Sequence, residues 1–237
     1  MNLNPLNENI LKKVYKKIHI FHNIYFKNKY LIKKKSYSME CEDLEIAKLT
    51  QNINKGFYVD AGCYHPLHLN NTCLLFNRKW NGLNIDLSEF SIDLFNFIRP
   101  NDVNINSAIS NTGSEVTIYH QKKISQLTTI YKEIAKKRMQ GLIKERNVKS
   151  QKLTSILNNS KYKNRKIDFL NIDLEGADMS ALLSLDFEIY RPRIICVEIT
   201  SKNIETSEIY NYLIKLNYKK KWSSKANINH IFVDEKI

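Results

Sequence analysis

The chain has 237 residues, 43% of them hydrophobic, enough to bury the core of one α/β domain without help from a partner. No apolar run approaches the roughly 18 residues that a bilayer-spanning helix needs, so an integral membrane protein is excluded on this reading. Four cysteines (Cys41, Cys63, Cys73, Cys196) without Cys-x-x-Cys spacing, and no secretory segment, predict reduced thiols in the cytoplasm rather than a disulfide or zinc framework.

The net charge of +13 is unevenly distributed. Residues 1–36 hold nine lysines against one acid, Glu8, and residues 121–166 hold fourteen Lys or Arg against Glu133 and Glu145. The remainder is acidic, about −7 by the same count. The expected organisation is a basic amphipathic helical extension over 1–36 and a catalytic domain over 37–237, with a basic helical insertion at about 121–150.

In the extension, apolar clusters alternate with Lys12-Lys13, Lys16-Lys17 and Lys33-Lys34-Lys35, and positions 10, 11, 14, 18, 21 and 25 share one helical face. Such a helix packs on the domain or a partner, or rests peripherally on an anionic membrane surface. Residues 38–53 carry Glu40, Glu42, Asp43 and Glu45 ahead of a helix, where acids suit the first turn. A helix just before the first strand commonly covers the ligand, which makes Glu42 and Asp43 second-rank site candidates.

The organising stretch is Gly56-Phe57-Tyr58-Val59-Asp60-Ala61-Gly62. Residues 57–59 suit a covered strand, Asp60 sits at its carboxyl end, and Gly62 permits a turn or close approach that a side chain would block. Ligands of open α/β sheets bind beside such strand ends. A second apolar strand ends in Asp86, 26 residues after Asp60, a spacing that fits one βαβ unit with a helix around residues 71–78. A carboxylate there can accept both hydrogen bonds of a ribose diol. A dinucleotide site would need Gly-x-Gly-x-x-Gly, and only Gly62 is present. A nucleoside ligand without phosphates fits better, and S-adenosylmethionine is the common one.

Ser88 predicts the cap of a helix reaching Ile98, with Pro100 just after it. Residues 103–109 read as a third strand whose small polar end suits an adenine ring, and 116–119 as an extra strand. Over 130–148, Ile130, Ile134, Met139, Leu142 and Ile143 keep a roughly helical period. Residues 169–172 form a strand ending in Asp173, with Glu175 and Gly176 turning into a helix. Residues 194–197 repeat the pattern with Glu198. A helix at about 204–216 and strands at 218–222 and 228–233 complete a parallel doubly wound sheet with an antiparallel strand near the C-terminus.

Phe57-Tyr58-Val59-Asp60-Ala61-Gly62 with His65-Pro66, Asn71-Thr72, Gly82-Leu83-Asn84-Ile85-Asp86, Ala108-Ile109-Ser110-Asn111 and Ile172-Asp173-Leu174-Glu175-Gly176-Ala177-Asp178 together resemble the FkbM-type methyltransferases, over roughly residues 37–233. The resemblance implies a Rossmann-like class I methyltransferase fold with a seven-stranded, mostly parallel sheet. It also implies S-adenosylmethionine-dependent transfer to hydroxyl oxygens of sugars or related small molecules. Carried onto this chain, Asp60, Ala61 and Gly62 face the methionine end of the cofactor, with Asn71 and Thr72 nearby. Asp86 takes the ribose, Ser107 and Ala108 the adenine, and Asp173 and Glu175 the acceptor end. The family usually has lysine where this chain has Asn171.

A sugar hydroxyl needs a base to lose its proton, and Asp173, His65 and Glu175 are the candidates. Alternatively Asp173, Glu175 and Glu198 hold Mg2+ or another divalent cation that acidifies the hydroxyl. The expected partner is a small-molecule or glycan-precursor acceptor, with nucleic acid disfavoured by the lack of Arg-Gly or aromatic stacking motifs. An RNA methyltransferase using the basic segments, or a non-catalytic binding protein on the same fold, remain the alternatives.

Overall fold

The computed structural model describes residues 5–121 and 128–236, in two compact units, Met1–Lys35 and Ser36–Ile237. In the first, α1 (Pro5–Phe21) runs on into a π-helical turn, His22–Lys27. Asn28 closes that turn: its backbone N–H donates to the Asn23 carbonyl at 3.0 Å, and its side-chain amide to Asn23 Oδ1 at 2.8 Å. This is the i→i+5 pattern of a π turn.

The second unit alternates strands and helices. In order they are α2 (Glu42–Leu49), β1 (Phe57–Ala61), α3 (Cys73–Asn77), β2 (Asn81–Asp86), α4 (Glu89–Ile98) and β3 (Val103–Asn106). Then follow β4 (Ala108–Ile109), β5 (Glu115–His120), α5 (Lys132–Arg138), β6 (Lys144–Gln151) and α6 (Leu153–Asn158). The last are β7 (Phe169–Ile172), α7 (Asp178–Leu183), β8 (Ile194–Glu198), α8 (Glu208–Lys215), β9 (Tyr218–Ser223) and β10 (Asn229–Asp234). Seven strands form one sheet in the order β3-β2-β1-β7-β8-β10-β9. The first five are mutually parallel, and β10 runs antiparallel to both of its neighbours. This is the Rossmann-like architecture expected from the sequence.

Period-two alternation sorts β1 between two covered faces. Phe57, Val59 and Ala61 join Leu170, Ile172, Leu182 and Ile195 in one core, while Tyr58 joins Ile46, Leu75, Trp80 and Phe169 in the other. Burial on both faces is why the central strands read as nearly continuous apolar runs. Ser88 caps α4 as its sequence suggests, accepting from the Ser91 N–H at 3.2 Å.

Strand order reverses between β1 and β7, and such a switch point leaves a crevice above the carboxyl ends. Gly62 makes it possible. Its φ is +85°, its N–H donates to the Ile85 carbonyl at 2.9 Å, and a Cβ there would overlap the Asp173 backbone carbonyl. Asp173 N–H in turn donates to the Ala61 carbonyl at 3.0 Å, so the chains leaving β1 and β7 are in direct backbone contact.

Two expectations are corrected. The single strand expected over 103–109 is broken after Asn106: β3 stays in the main sheet, while β4 pairs with β6 in a separate three-stranded sheet, order β4-β6-β5. The helix expected over 130–148 is only α5. Gly141, at φ +88°, turns the chain, and β6 pairs antiparallel with β5 from Glu115↔Lys149 to His120↔Lys144. Long-range pairing overrides the short helical period of Met139, Leu142 and Ile143. Residues 122–127 of the basic insertion lie outside the described residues.

Replacing Gly62 by Ala forces both a left-handed backbone and a steric overlap. Gly62→Ala is expected to lose about 1–3 kcal/mol of stability in urea unfolding. An unchanged midpoint would show that the two strand ends can separate freely.

Candidate functional site

An open cleft of about 810 Å³, counted out to the solvent at its mouth, lies over the ends of β1, β2 and β7. Glu42, Asp60, Asp86, Asp173 and Glu175 line it, and no Lys, Arg or His does so among the described residues. A cleft lined by acids and no cation favours a cationic ligand over polyphosphates.

Asp60 is its most constrained acid. Alternation along β1 puts Asp60 on the same face as Tyr58, and registry sets Asn84 on one side of it and Asn171 on the other. The carboxylate is buried and accepts three hydrogen bonds: from Thr72 Oγ1 at 2.7 Å, Asn171 Nδ2 at 3.0 Å and Asn70 Nδ2 at 3.1 Å. Burial raises its pKa, while those donors and the Arg99 charge oppose the rise. Little acceptor capacity remains for a ligand. Asn171 is thereby a connector. Its amide nitrogen donates to Asp60, and its Oδ1 accepts from Asn71 Nδ2 at 2.9 Å.

Behind Asp60 lies Arg99, fully buried at 0% exposure. Its Nη1 donates to Thr72 Oγ1 at 2.8 Å and Tyr58 Oη at 3.0 Å, and its Nη2 to the Pro66 carbonyl at 2.8 Å and Asn70 Oδ1 at 2.9 Å. The guanidinium also lies 4.8 Å from the Phe95 ring centre and 5.0 Å from that of Phe76. Burial works against its charge, but Tyr58, Cys73, Asp102 and Asp60 outweigh it and raise the pKa. No acid touches it directly among the described residues; Asp60 and Asp102 reach it through the hydroxyls of Thr72 and Tyr58.

Asp86 is the more available acid. Its Oδ1 accepts from the Ser88 N–H at 2.7 Å and its Oδ2 from the Tyr64 N–H at 2.8 Å, which fixes the carboxylate and leaves lone pairs on both oxygens. Burial pushes its pKa to about 6 despite those donors.

The turn after β7 supplies the third group of acids. Glu175 and Gly176 both take positive φ, +51° and +96°. Asp178 holds the turn by accepting from the Leu174 and Gly176 N–H groups, each at 3.0 Å. Burial lifts Glu175 to about 7, with the Glu198 charge adding to the rise and Arg138 opposing it. Asp173 is raised well above its ordinary value by its deep position and by Glu198, Asp178, Glu175 and Asp60. Its side chain nevertheless keeps solvent contact through the cleft.

The carboxylate set expected to hold a divalent cation is not assembled as one. Arg138 of α5 pairs with Glu175 and forms an ion pair with Glu198 at 3.7 Å, longer than a hydrogen bond. Its guanidinium supplies the positive charge there, and among the described residues no three His, Cys, Asp or Glu converge as metal ligands. Thr129 Oγ1 donates to the Glu175 carbonyl at 2.8 Å, and Ile134 and Tyr131 cover Gly176, so the basic insertion walls this end.

Of the remaining expected residues, Asn71 and Gly62 line the cleft. Ala61, Thr72, His65, Ser107, Ala108 and Glu198 are not in its wall. His65 is buried in a turn, its Nδ1 accepting from the Leu67 N–H at 3.0 Å. Ser107 accepts from Gln151 Nε2 at 3.1 Å. Asp43 is occupied structurally by Ser36, Tyr37 and Ser38, whereas Glu42 lines the cleft and accepts from Asn229 Nδ2 at 2.7 Å. Sequence reasoning missed Asn229. Because β10 is antiparallel, its first residue lies at the rim, beside Glu198 of β8.

A family model described as the methyltransferase FkbM domain matches residues 60–220. The chain belongs to this family. A search of curated proteins finds no match. Membership in the FkbM family makes methyl transfer the chemistry of the domain and implies S-adenosylmethionine as donor. The site's chemistry fits such a group: the acids lining the cleft would oppose a sulfonium and an ammonium, and Asp86 offers two oriented acceptors at the second strand end.

Two outcomes are expected of this FkbM domain. Arg99→Met strips donors from Asn70, Thr72 and Pro66 and leaves Asp60 without its countercharge. Urea unfolding should show a loss of about 3–5 kcal/mol; a loss under about 1 kcal/mol would mean the network is not what compensates Asp60. Arg138→Ala removes the cation that holds Glu175 down, so its titration, followed by carboxyl-carbon NMR, should move above about 7. No movement would show that the pair does not form in solution.

Proposed function

We propose that the protein transfers the methyl group of S-adenosylmethionine to a hydroxyl oxygen of a sugar or glycan precursor. The observation that carries this reading is the acidic lining of the cleft at the sheet's switch point, which includes no Lys, Arg or His among the described residues. Asp86 would hold the ribose hydroxyls with the acceptor capacity its backbone donors leave open. Asp60 would contribute negative potential rather than direct hydrogen bonds. When bound, the donor supplies a sulfonium-activated methyl group, and displacement leaves its electron pair on sulfur.

The chain's part is alignment, exclusion of water and removal of one proton. Glu175 is the better base of the two acids at the acceptor end. Its pKa of about 7 leaves a substantial carboxylate fraction at neutral pH with useful proton affinity. Asp173, whose pKa its neighbouring acids also raise, would hydrogen-bond the acceptor beside it. The acceptor oxygen forms its bond to the methyl carbon as its proton passes to Glu175. The proposed setting is the cytoplasm; no helix among the described residues is long and apolar enough to cross a membrane.

Calorimetric titration with S-adenosylmethionine and its demethylated product tests the reading. Wild type is expected to bind at micromolar concentrations, and Asp86→Ala to weaken binding by about 10–100-fold, the loss of hydrogen bonds to a charged group. Folded wild type that binds neither compound would overturn the proposal. Binding justifies a screen of nucleotide sugars for methylation.

A further inference from the structure

The methyl-transfer reading leaves the first unit unused. Along α1, Ile10, Leu11, Val14, Tyr15, Ile18 and Phe21 each expose between 48 and 70% of their surface. At 3.6 residues per turn they occupy one arc of about 140°. Lys12, Lys13, Lys16 and Lys17 fill the opposite side. Beyond the π turn, exposed Leu31 and Ile32 lead directly into Lys33-Lys34-Lys35. A continuous apolar face of this kind on a soluble unit marks an interaction surface.

The charge chemistry selects the partner. Residues 1–36 contain nine lysines and no arginine. Protein interfaces are enriched in Arg, whose planar fork pairs with carboxylates, and depleted in Lys. Lysine's long stem and compact ammonium instead suit a lipid surface, where the stem covers apolar area and the charge reaches the headgroups. A second copy of the chain would oppose two strongly positive segments. We propose that α1 docks on an anionic lipid surface, its apolar arc entering the headgroup–acyl boundary and its lysines meeting the phosphates. The docking would hold the domain at a membrane face without a spanning helix, and it is independent of the reaction the domain performs.

Sedimentation of the full-length protein with vesicles tests this. Vesicles of phosphatidylcholine with about 30% phosphatidylglycerol are expected to bind at least about tenfold more protein than phosphatidylcholine alone, and high salt should reduce the difference. Val14→Asp with Ile18→Asp should lower binding about tenfold by charging the apolar arc. Lys12, Lys13, Lys16 and Lys17 replaced together by Gln should weaken anionic binding while keeping the arc. Unfolding followed through Trp80 and Trp222, both in the second unit, confirms that the variants retain the domain. Several outcomes overturn the proposal: no sedimentation with anionic vesicles, equal binding to neutral ones, or binding indifferent to the Asp substitutions. Lipid-free self-association abolished by the same substitutions would assign the arc to copies of the chain instead.

Discussion

A single buried cation holds the catalytic face of this sheet together. Arg99 sits where water cannot solvate it, and a charge there survives only if it is compensated from all sides. The hydrogen bonds of its two Nη atoms reach three separate parts of the chain: β1 through Tyr58, the loop through Pro66 and Asn70, and the start of α3 through Thr72. Asp60 owes its fixed position to the same residues. Asp60 is therefore set by an interior network, which suits a site that must align two reactants.

The rim is built differently. The turn of residues 174–176 takes an unfavourable left-handed conformation at Glu175 and is held by Asp178 from below and by the basic insertion from the side. Positive charge from outside the sheet thus moderates negative charge crowded at the strand ends. Glu175 is brought to about 7 because burial and the Glu198 charge raise it by more than Arg138 lowers it. Around Asp60 and Asp86 no cation lines the cleft among the described residues, Arg99 acting on Asp60 only from behind, which distinguishes a region suited to a positively charged ligand from one suited to proton transfer.

Much of this was legible in the sequence. Short apolar runs ending in Asp60, Asp86 and Asp173 encode parallel strands whose acids meet at one rim, because all three strands point the same way. What was not legible depends on contacts distant in sequence. Arg99 beside Pro100 reads as a helix end, and nothing local signals that its side chain turns inward. Asn229 escapes the strand-end rule because its strand is reversed. Arg138 lies in a lysine-rich stretch whose charge reads as solvated, and residues 144–151 pair as a strand although the apolar period just before them, at residues 130–143, suggested helix. His65, beside the glycine turn, uses its Nδ1 to accept from the Leu67 N–H, a contact that no local pattern signals.

Asp60 also belongs to a transverse row of polar side chains. Asn104 of β3, Asn84 of β2, Asp60 of β1 and Asn171 of β7 are register partners in sequence across the sheet. Asn84 Nδ2 donates to Asn104 Oδ1 at 2.8 Å, and Asn171 Nδ2 to Asp60 Oδ1 at 3.0 Å. Parallel strands form only after long loops close, and their apolar residues tolerate several alignments. A slip of one residue along any of these strands would turn its polar member into the apolar layer on the other side of the sheet. The row therefore acts during folding as a selection against misaligned sheets, and the ligand cleft inherits its alignment from that selection.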